Sequence, residues 1–383
     1  MKISEYIKKV SGKMINDGFV PSRRRFGKTA FAGVLGGKAL VSFAGDSSAI
    51  VHPNTPGIKL AAQLSGNPNE DDFTLVKQLG VKDICIWTVR GEEATYENYL
   101  RLRKLVESHG LTLWNIINLD VHGMEEVILN LPGRDKKIEE YKTHIRNLGK
   151  AGVYYTTYTH VANGIWSTET EYTRGARARA FDLSKAKICR WKGQTWELPL
   201  THGRVFTEEE IWDNYIYFIK KIVPVAEDAG VKIGFHPDDP PLPEIGGIPR
   251  CILGNFEGFK RAMEIADSPN IGVCFCVGCW LEGGDLMGKD ILEAIHYFSE
   301  RKKLFKVHFR NVDQPLPHFK ETFMDNGYYD MYKVMKTLRE VDFDGIAILD
   351  HSPGFIGGGR VNLAYGIAYM RALMERANDE IGG

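Results

Sequence analysis

From residue 57 onward, short apolar or β-branched runs alternate with longer stretches whose apolar positions recur every three or four residues. The short runs are GIKLAAQ (57–63), DICIW (83–87), LTLWNIIN (111–118), VYYTTY (153–158), VKIGFH (231–236), IGVCFC (271–276), LFKVHF (304–309) and GIAILD (345–350). Between them lie amphipathic helical patterns such as 96–110, 137–152 and 208–230, and these three end in glycine, a residue favoured just past a helix C-terminus. Eight strand candidates, seven of them plainly separated by helical segments, predict a single-domain α/β (β/α)8 barrel over residues 51–383. An open doubly wound sheet shares the alternation, but eight strands in this length favour closure. No glycine-rich phosphate loop follows the first strand, which removes the usual dinucleotide fingerprint.

Two stretches break the rhythm. The connection at about 159–207 is far longer than a barrel loop needs and carries Arg174, Arg177 and Arg179; long loops in compact domains tend to be lids or binding loops, the plainer alternative being a solvated hairpin. At the other extreme, residues 1–50 read as an export signal or disordered segment. Ser22, three arginines and Phe26 precede a small-residue apolar stretch, with Ser42 and Ala44 placing cleavage near Ala44. This resembles a twin-arginine signal and predicts a periplasmic location, with a cytoplasmic enzyme behind a basic tail as the alternative. The apolar stretch is too weak for a stable transmembrane anchor.

Composition narrows the partners. The 383 residues hold 49 Lys+Arg and 49 Asp+Glu, so no global field steers the chain to nucleic acid or an anionic membrane. A small ligand recognised by local charge is expected, and assembly as a homo-oligomer stays open. Six cysteines in so long a chain are no disulfide scaffold, although a disulfide within the run Cys274, Cys276, Cys279 would be compatible with export.

Catalytic groups of a barrel sit where strands end at their C-termini. Strand five ends at His236, strand six at Cys276, strand seven at His308 and strand eight at Asp350. Any one of these alone is more often structural. Imidazole, thiolate and carboxylate at four successive strand ends instead predict a divalent metal site, suited to Mn2+, Fe2+, Co2+ or Zn2+ rather than Mg2+ or Ca2+. In this reading Cys274 is core packing one layer deeper and Cys279 a loop residue. His308 and Arg310 share a strand face, which makes Arg310 a candidate for substrate carboxylate or hydroxyls, or else an ion-pair partner of Asp238, Asp239 or Asp350. The Asp238–Asp239 pair is expected to orient ligands, and Lys306 and Lys232 to lie deeper on the inward face, as ion-pair partners in one reading. His122 is a further substrate-binding candidate.

The segments GFHPDDPP, GIPR (247–250), CFCVG, KVHFRNV, FKETFMDNGYYDMYKVMKTLREVDFDG and LDH followed by YG resemble the mannonate dehydratase family. The likeness is close from about 231 to the end and looser over 57–158, where IRNLGKAGV and Val121–His122 still fit. It implies a Mn2+-dependent barrel that converts D-mannonate to 2-keto-3-deoxy-D-gluconate. It places the family's metal ligands on His236, Cys276, His308 and Asp350, and its acid/base pair on His351 and Tyr365. The chain departs from the family after strand four, around Asn118–Leu119, and in GFIGGGRVNLAYG. Those places shape the pocket, so metal and chemistry transfer more safely than substrate. The alternatives are a metal-dependent sugar isomerase or epimerase, which more often gathers several carboxylates, and a non-catalytic exported sugar-acid binding protein.

Overall fold

The computed structural model describes residues 57–382, so the predicted export signal lies outside the described residues. Eight parallel strands form the central sheet: β1 (Lys59–Leu64), β2 (Asp83–Val89), β3 (Thr112–Asn118), β4 (Tyr155–Thr159), β5 (Lys232–His236), β6 (Ile271–Cys276), β7 (Leu304–Phe309) and β8 (Ile346–Leu349). Their hydrogen-bonded order runs β3-β2-β1-β8-β7-β6-β5-β4. The last strand therefore pairs with the first, Lys59 opposite Ile346. The remaining seam, β3 against β4, is bridged by the Thr156 hydroxyl donating to the Ile116 carbonyl at 2.9 Å. The result is the predicted barrel, with each strand falling on its apolar run.

A helix follows each strand: α1 (Glu70–Gln78), α2 (Tyr96–Ser108), α3 (Arg134–Ala151), α4 (Glu208–Asp228), α5 (Phe256–Ala266), α6 (Ile291–Glu300), α7 (Met331–Glu340) and α8 (Gly359–Gly382). Local chemistry starts them. Asn69 with Asp72 and Thr207 with Glu210 form reciprocal capping boxes at α1 and α4, and Asn255 and Asp290 cap α5 and α6. Gly152, at φ 75°, stops α3 in the left-handed conformation that an L side chain rarely adopts. Buried faces then dock these helices on the strands. In α5, Phe256, Phe259, Ala262, Met263 and Ala266 recur at helical spacing. Phe259 meets Trp280 and Phe298 with ring centroids 5.9 and 6.0 Å apart; each such buried ring contributes about 1.5–3 kcal/mol.

The barrel interior is separate from that outer core and mixed in polarity. Ala61, Cys85, Ile346 and Ile348 pack together inside it. In the same layers the buried Lys306 ammonium donates across the barrel to Asn115 Oδ1 at 3.1 Å. Tyr155 also fills the interior, in space that Gly234 leaves open: a Cβ there would lie 2.1 Å from the tyrosine oxygen.

The long connection after β4 is folded rather than loose. It holds two hairpins, Glu171–Thr173 with Ala176–Ala178 and Ile188–Trp191 with Gln194–Glu197. A further strand, Ala180–Asp182, pairs antiparallel with His318–Thr322 from the β7–α7 connection. Two insertions at the C-terminal rim are thus stitched into one sheet over the mouth.

Candidate active site

Parallel pairing brings the ends of β5 to β8 to one rim. Cys276 is in register with His308, and His308 with Ile348, so Asp350 emerges just past the end of β8. The donor atoms of His236, Cys276, His308 and Asp350 all lie within 4.8 Å of one another. His236 Nδ1 lies 2.8 Å from the Pro237 carbonyl; a carbonyl only accepts, so Nδ1 carries a proton and Nε2 is the nitrogen left to serve as a ligand. Both ring nitrogens of the buried His308 lack a hydrogen-bond partner, Nδ1 lying 3.3 Å from Asp350 Oδ1 without hydrogen-bond geometry. Burial would raise the Cys276 thiol, but a hydrogen bond with Cys279 and the Arg310 charge outweigh it and hold it well below its ordinary value. Burial is likewise outweighed at Asp350, by His351 and His308, leaving that carboxyl well below the carboxylate range. Two imidazoles, a thiolate-prone sulfur and a carboxylate around orphaned nitrogens fit a divalent transition metal.

Beside this quartet lies a second acidic group filled from within the chain. Arg310 is fully buried. Its Nη1 lies 2.9 Å from Glu321, its Nη2 2.9 Å from Glu282, and its Nε 3.5 Å from Asp350, with Asp239 at 3.5 Å. Nη2 also donates to Cys279 Sγ at 3.2 Å. Gly278 makes this possible, since a Cβ there would fall 1.9 Å from Arg310 Nε. A second guanidinium, Arg179 from the folded insertion, bonds Asp239 and lies 3.3 Å from Glu282 and 3.2 Å from Glu321. Glu321 in turn accepts from His351 Nδ1 at 2.9 Å. His351 Nε2 then faces Asp350 Oδ2 and Arg310 Nη1, each at 3.3 Å. Burial would lower the His351 pKa, but Asp350 and Glu321 raise it above the usual histidine value.

The sequence profile of the D-mannonate dehydratase family matches residues 65–379. The chain belongs to the mannonate dehydratase family. Mannonate dehydratase of Streptococcus pneumoniae is 33% identical over 303 residues, 74% of this chain and 81% of that protein. The Thermotoga maritima enzyme is 32% identical over 311 residues, covering 74% and 84%. The crystal structure of mannonate dehydratase from Streptococcus suis superposes with a TM-score of 0.74 at 29% identity, over 85% of this chain and 95% of that one. An L-ribulose 3-epimerase, at TM-score 0.55 and 12% identity, shares the fold alone. This chain is thus an enzyme of the hydro-lyase class, carbon–oxygen lyases that expel water.

Within this mannonate dehydratase family member, the other predicted residues fall as follows. His351 stands against the quartet. Tyr365 does not touch it: its hydroxyl donates to Asp325 Oδ1 at 2.8 Å, and its ring packs with Phe355 and Phe323. His122 is near enough for His236 and His308 to bias it, and burial foremost holds it well below its ordinary pKa. Arg310 has the ion-pair role, with Asp239 and Asp350 as foreseen and Glu282 and Glu321 added. Asp238 makes no ion pair with that cluster among the described residues: burial pushes its carboxyl up to about 7, against the pull of Arg250, and its Oδ1 has no hydrogen-bond partner. Cys279 sits on a short helix, Val277–Gly283, rather than in a loop, and all six cysteines are unpaired. Lys306 is buried as expected but its partner is an amide, whereas Lys232 is exposed at the opposite end of the barrel with its ammonium 5.0 Å from the Phe305 ring. The functional roles of Glu282, Glu321 and Arg179 escaped the sequence reading. A signal existed for Glu282, because 276, 279 and 282 share one helical face. Glu321 and Arg179 lie on excursions whose partners only pairing reveals.

Proposed function

We propose that this chain dehydrates a sugar acid, D-mannonate to 2-keto-3-deoxy-D-gluconate, using a divalent metal ion, Mn2+ by family resemblance. The observation that carries this reading is the convergence of His236, Cys276, His308 and Asp350, with His351 fixed alongside. An ion held by those four residues would act as a Lewis acid on the substrate carboxylate and C2 oxygen, making the C2 proton easier to remove. The reaction moves one proton off C2 and delivers one to the oxygen leaving C3, so water departs and the enol becomes the 2-keto acid. His351, oriented by Glu321 with Nε2 turned toward the quartet, is the proton-transfer group the geometry supports. Tyr365 is the second such group by family resemblance. Arg310 acts by holding the anionic wall in place, and His122 by meeting a substrate hydroxyl. One carboxylate among the four donors favours this reading over an isomerase that gathers several.

The test is turnover of D-mannonate by metal-stripped protein with Mn2+ restored. Formation of the 2-keto-3-deoxy acid that is abolished in His308→Ala is expected. In the same assay Tyr365→Phe should lower kcat about a hundredfold or more. Bound metal without product would overturn the substrate assignment and send the search to other aldonates or to a binding role. We propose in addition that residues 1–50 direct export to the periplasm. Finding only full-length protein in the cytoplasm of fractionated cells would overturn that.

A further inference from the structure

The loop after β3 carries His122, and it is gripped by the Ile188–Glu197 hairpin of the insertion. Lys192, at the hairpin turn, donates to the His122 carbonyl and, at 3.4 Å, to the Gly123 carbonyl. No carboxylate lies within ion-pair distance of that nitrogen among the described residues; its partners are the two carbonyls, with the Trp191 ring centroid 4.3 Å away, and burial pushes the amine down to about 7. Gly123, at φ 78°, is pressed against the neighbouring Trp191, whose ring a Cβ would meet at 3.1 Å. Two residues on, Glu125 accepts from Gln194 Nε2 at 2.8 Å and from Trp196 Nε1 at 3.2 Å. The hairpin therefore holds the loop at His122, Gly123 and Glu125 together.

The grip has a chemical consequence. His122 Nδ1 lies 3.0 Å from the Thr157 carbonyl inside the barrel. Since a carbonyl accepts only, Nδ1 bears the proton, and the neutral ring keeps its lone pair on Nε2. Nε2 has no protein partner among the described residues and is not sealed in the interior. A ring held this way is an acceptor waiting for a donor, and a sugar acid supplies hydroxyl donors.

We propose that Lys192 is a positioning residue: the insertion hairpin, through Lys192, sets His122 so that its unprotonated Nε2 accepts a hydrogen bond from a hydroxyl of the sugar acid. This rests on the dehydratase reading for the identity of the ligand, but the grip itself does not. It also gives the folded insertion a role in substrate recognition.

The test uses the full-length protein with Mn2+ restored and D-mannonate as probe. Lys192→Met should raise KM about five- to tenfold, the effect of one lost hydrogen bond, with kcat within about twofold and Mn2+ affinity unchanged. Lys192→Arg, which keeps a donor, should recover most of the loss. In a His122→Ala background Lys192→Met should add nothing further, since both act through one ring. Unchanged KM in Lys192→Met, or effects that add independently, would overturn the proposal. If the wild type does not turn over D-mannonate, hydrogen exchange of residues 119–125 decides. Faster exchange in Lys192→Met keeps the positioning role while the dehydratase reading fails, and unchanged exchange ends both.

Discussion

Two buried groups share one wall of the barrel mouth and differ in what neutralises them. In one, Asp239, Cys279, Glu282 and Glu321 surround the guanidiniums of Arg179 and Arg310, so the chain supplies its own cations. In the other, His236, Cys276, His308 and Asp350 gather two anionic donors around imidazoles, and His308 has both nitrogens unpartnered. The strand end at Cys276 and the short helix bearing Cys279 supply one thiol to each. An anionic cluster out of water needs a cation. Where two arginines lie inside it, the cluster is a rigid support; where two histidines and only the edge of Arg310 face it, the group has the donor set of a divalent-metal site. The guanidinium cluster then acts on that second group, because Arg310 reaches Asp350 and Glu321 reaches His351.

The largest expected effect comes from emptying the self-neutralised cluster. Arg310→Met leaves Asp239 and Glu321, the two carboxyls held below their ordinary values, with one guanidinium instead of two beside a Glu282 that burial pushes well up, and should cost about 3–5 kcal/mol of stability by chemical denaturation. A loss below about 1 kcal/mol would mean the carboxylates were not charged, and the contrast between the groups would collapse.

Next in size is the acid limb of stability. Burial alone would raise Glu321, but His351, Arg310 and Arg179 outweigh it and lower it from 4.5 to about 2. A depressed carboxyl stabilises the fold above its unfolded value, so about 3 kcal/mol should be lost as pH falls from about 4.5 through about 2. His351, raised above 6.5, has the opposite sign: its contribution is full below 6.5 and is lost as pH rises through its folded value. Glu321→Gln should flatten the acid limb. Parallel loss in both proteins over that range would show that the carboxylate is not held down.

The smallest effect should come from the histidine-bearing group. Restoring Mn2+ to stripped protein at about a hundredfold above its Kd should add about 2.7 kcal/mol, read as a rise in melting temperature. In His308→Ala that rise should vanish. An equal rise in both would place the ion elsewhere and break the division between the groups.

What was legible follows from range. The eight strands and their helices repeat a local pattern, apolar runs against helical periodicity, and the barrel forms as that pattern predicts, nearly closed, with Thr156 bridging the β3–β4 seam. The convergence of His236, Cys276, His308 and Asp350 was legible because they end successive strands, and parallel pairing puts strand ends on one rim. Arg310 was ambiguous because strand alternation gives a face but not a partner. The roles of Arg179, Glu321 and Lys192 were hidden for the same reason. Arg179 is brought in by an insertion strand, Ala180–Asp182, that pairs with His318–Thr322 from another loop, and Lys192 by a hairpin seated on a third.

The sequence by itself determined the barrel and the residue types at its mouth, since both depend on spacing along one chain. Only the tertiary structure decided which acidic group is filled by arginine and which keeps a histidine with both nitrogens unpartnered. That choice depends on contacts across the mouth, where guanidiniums from β7 and from the insertion meet the acids of three other connections, and no local pattern encodes such a meeting.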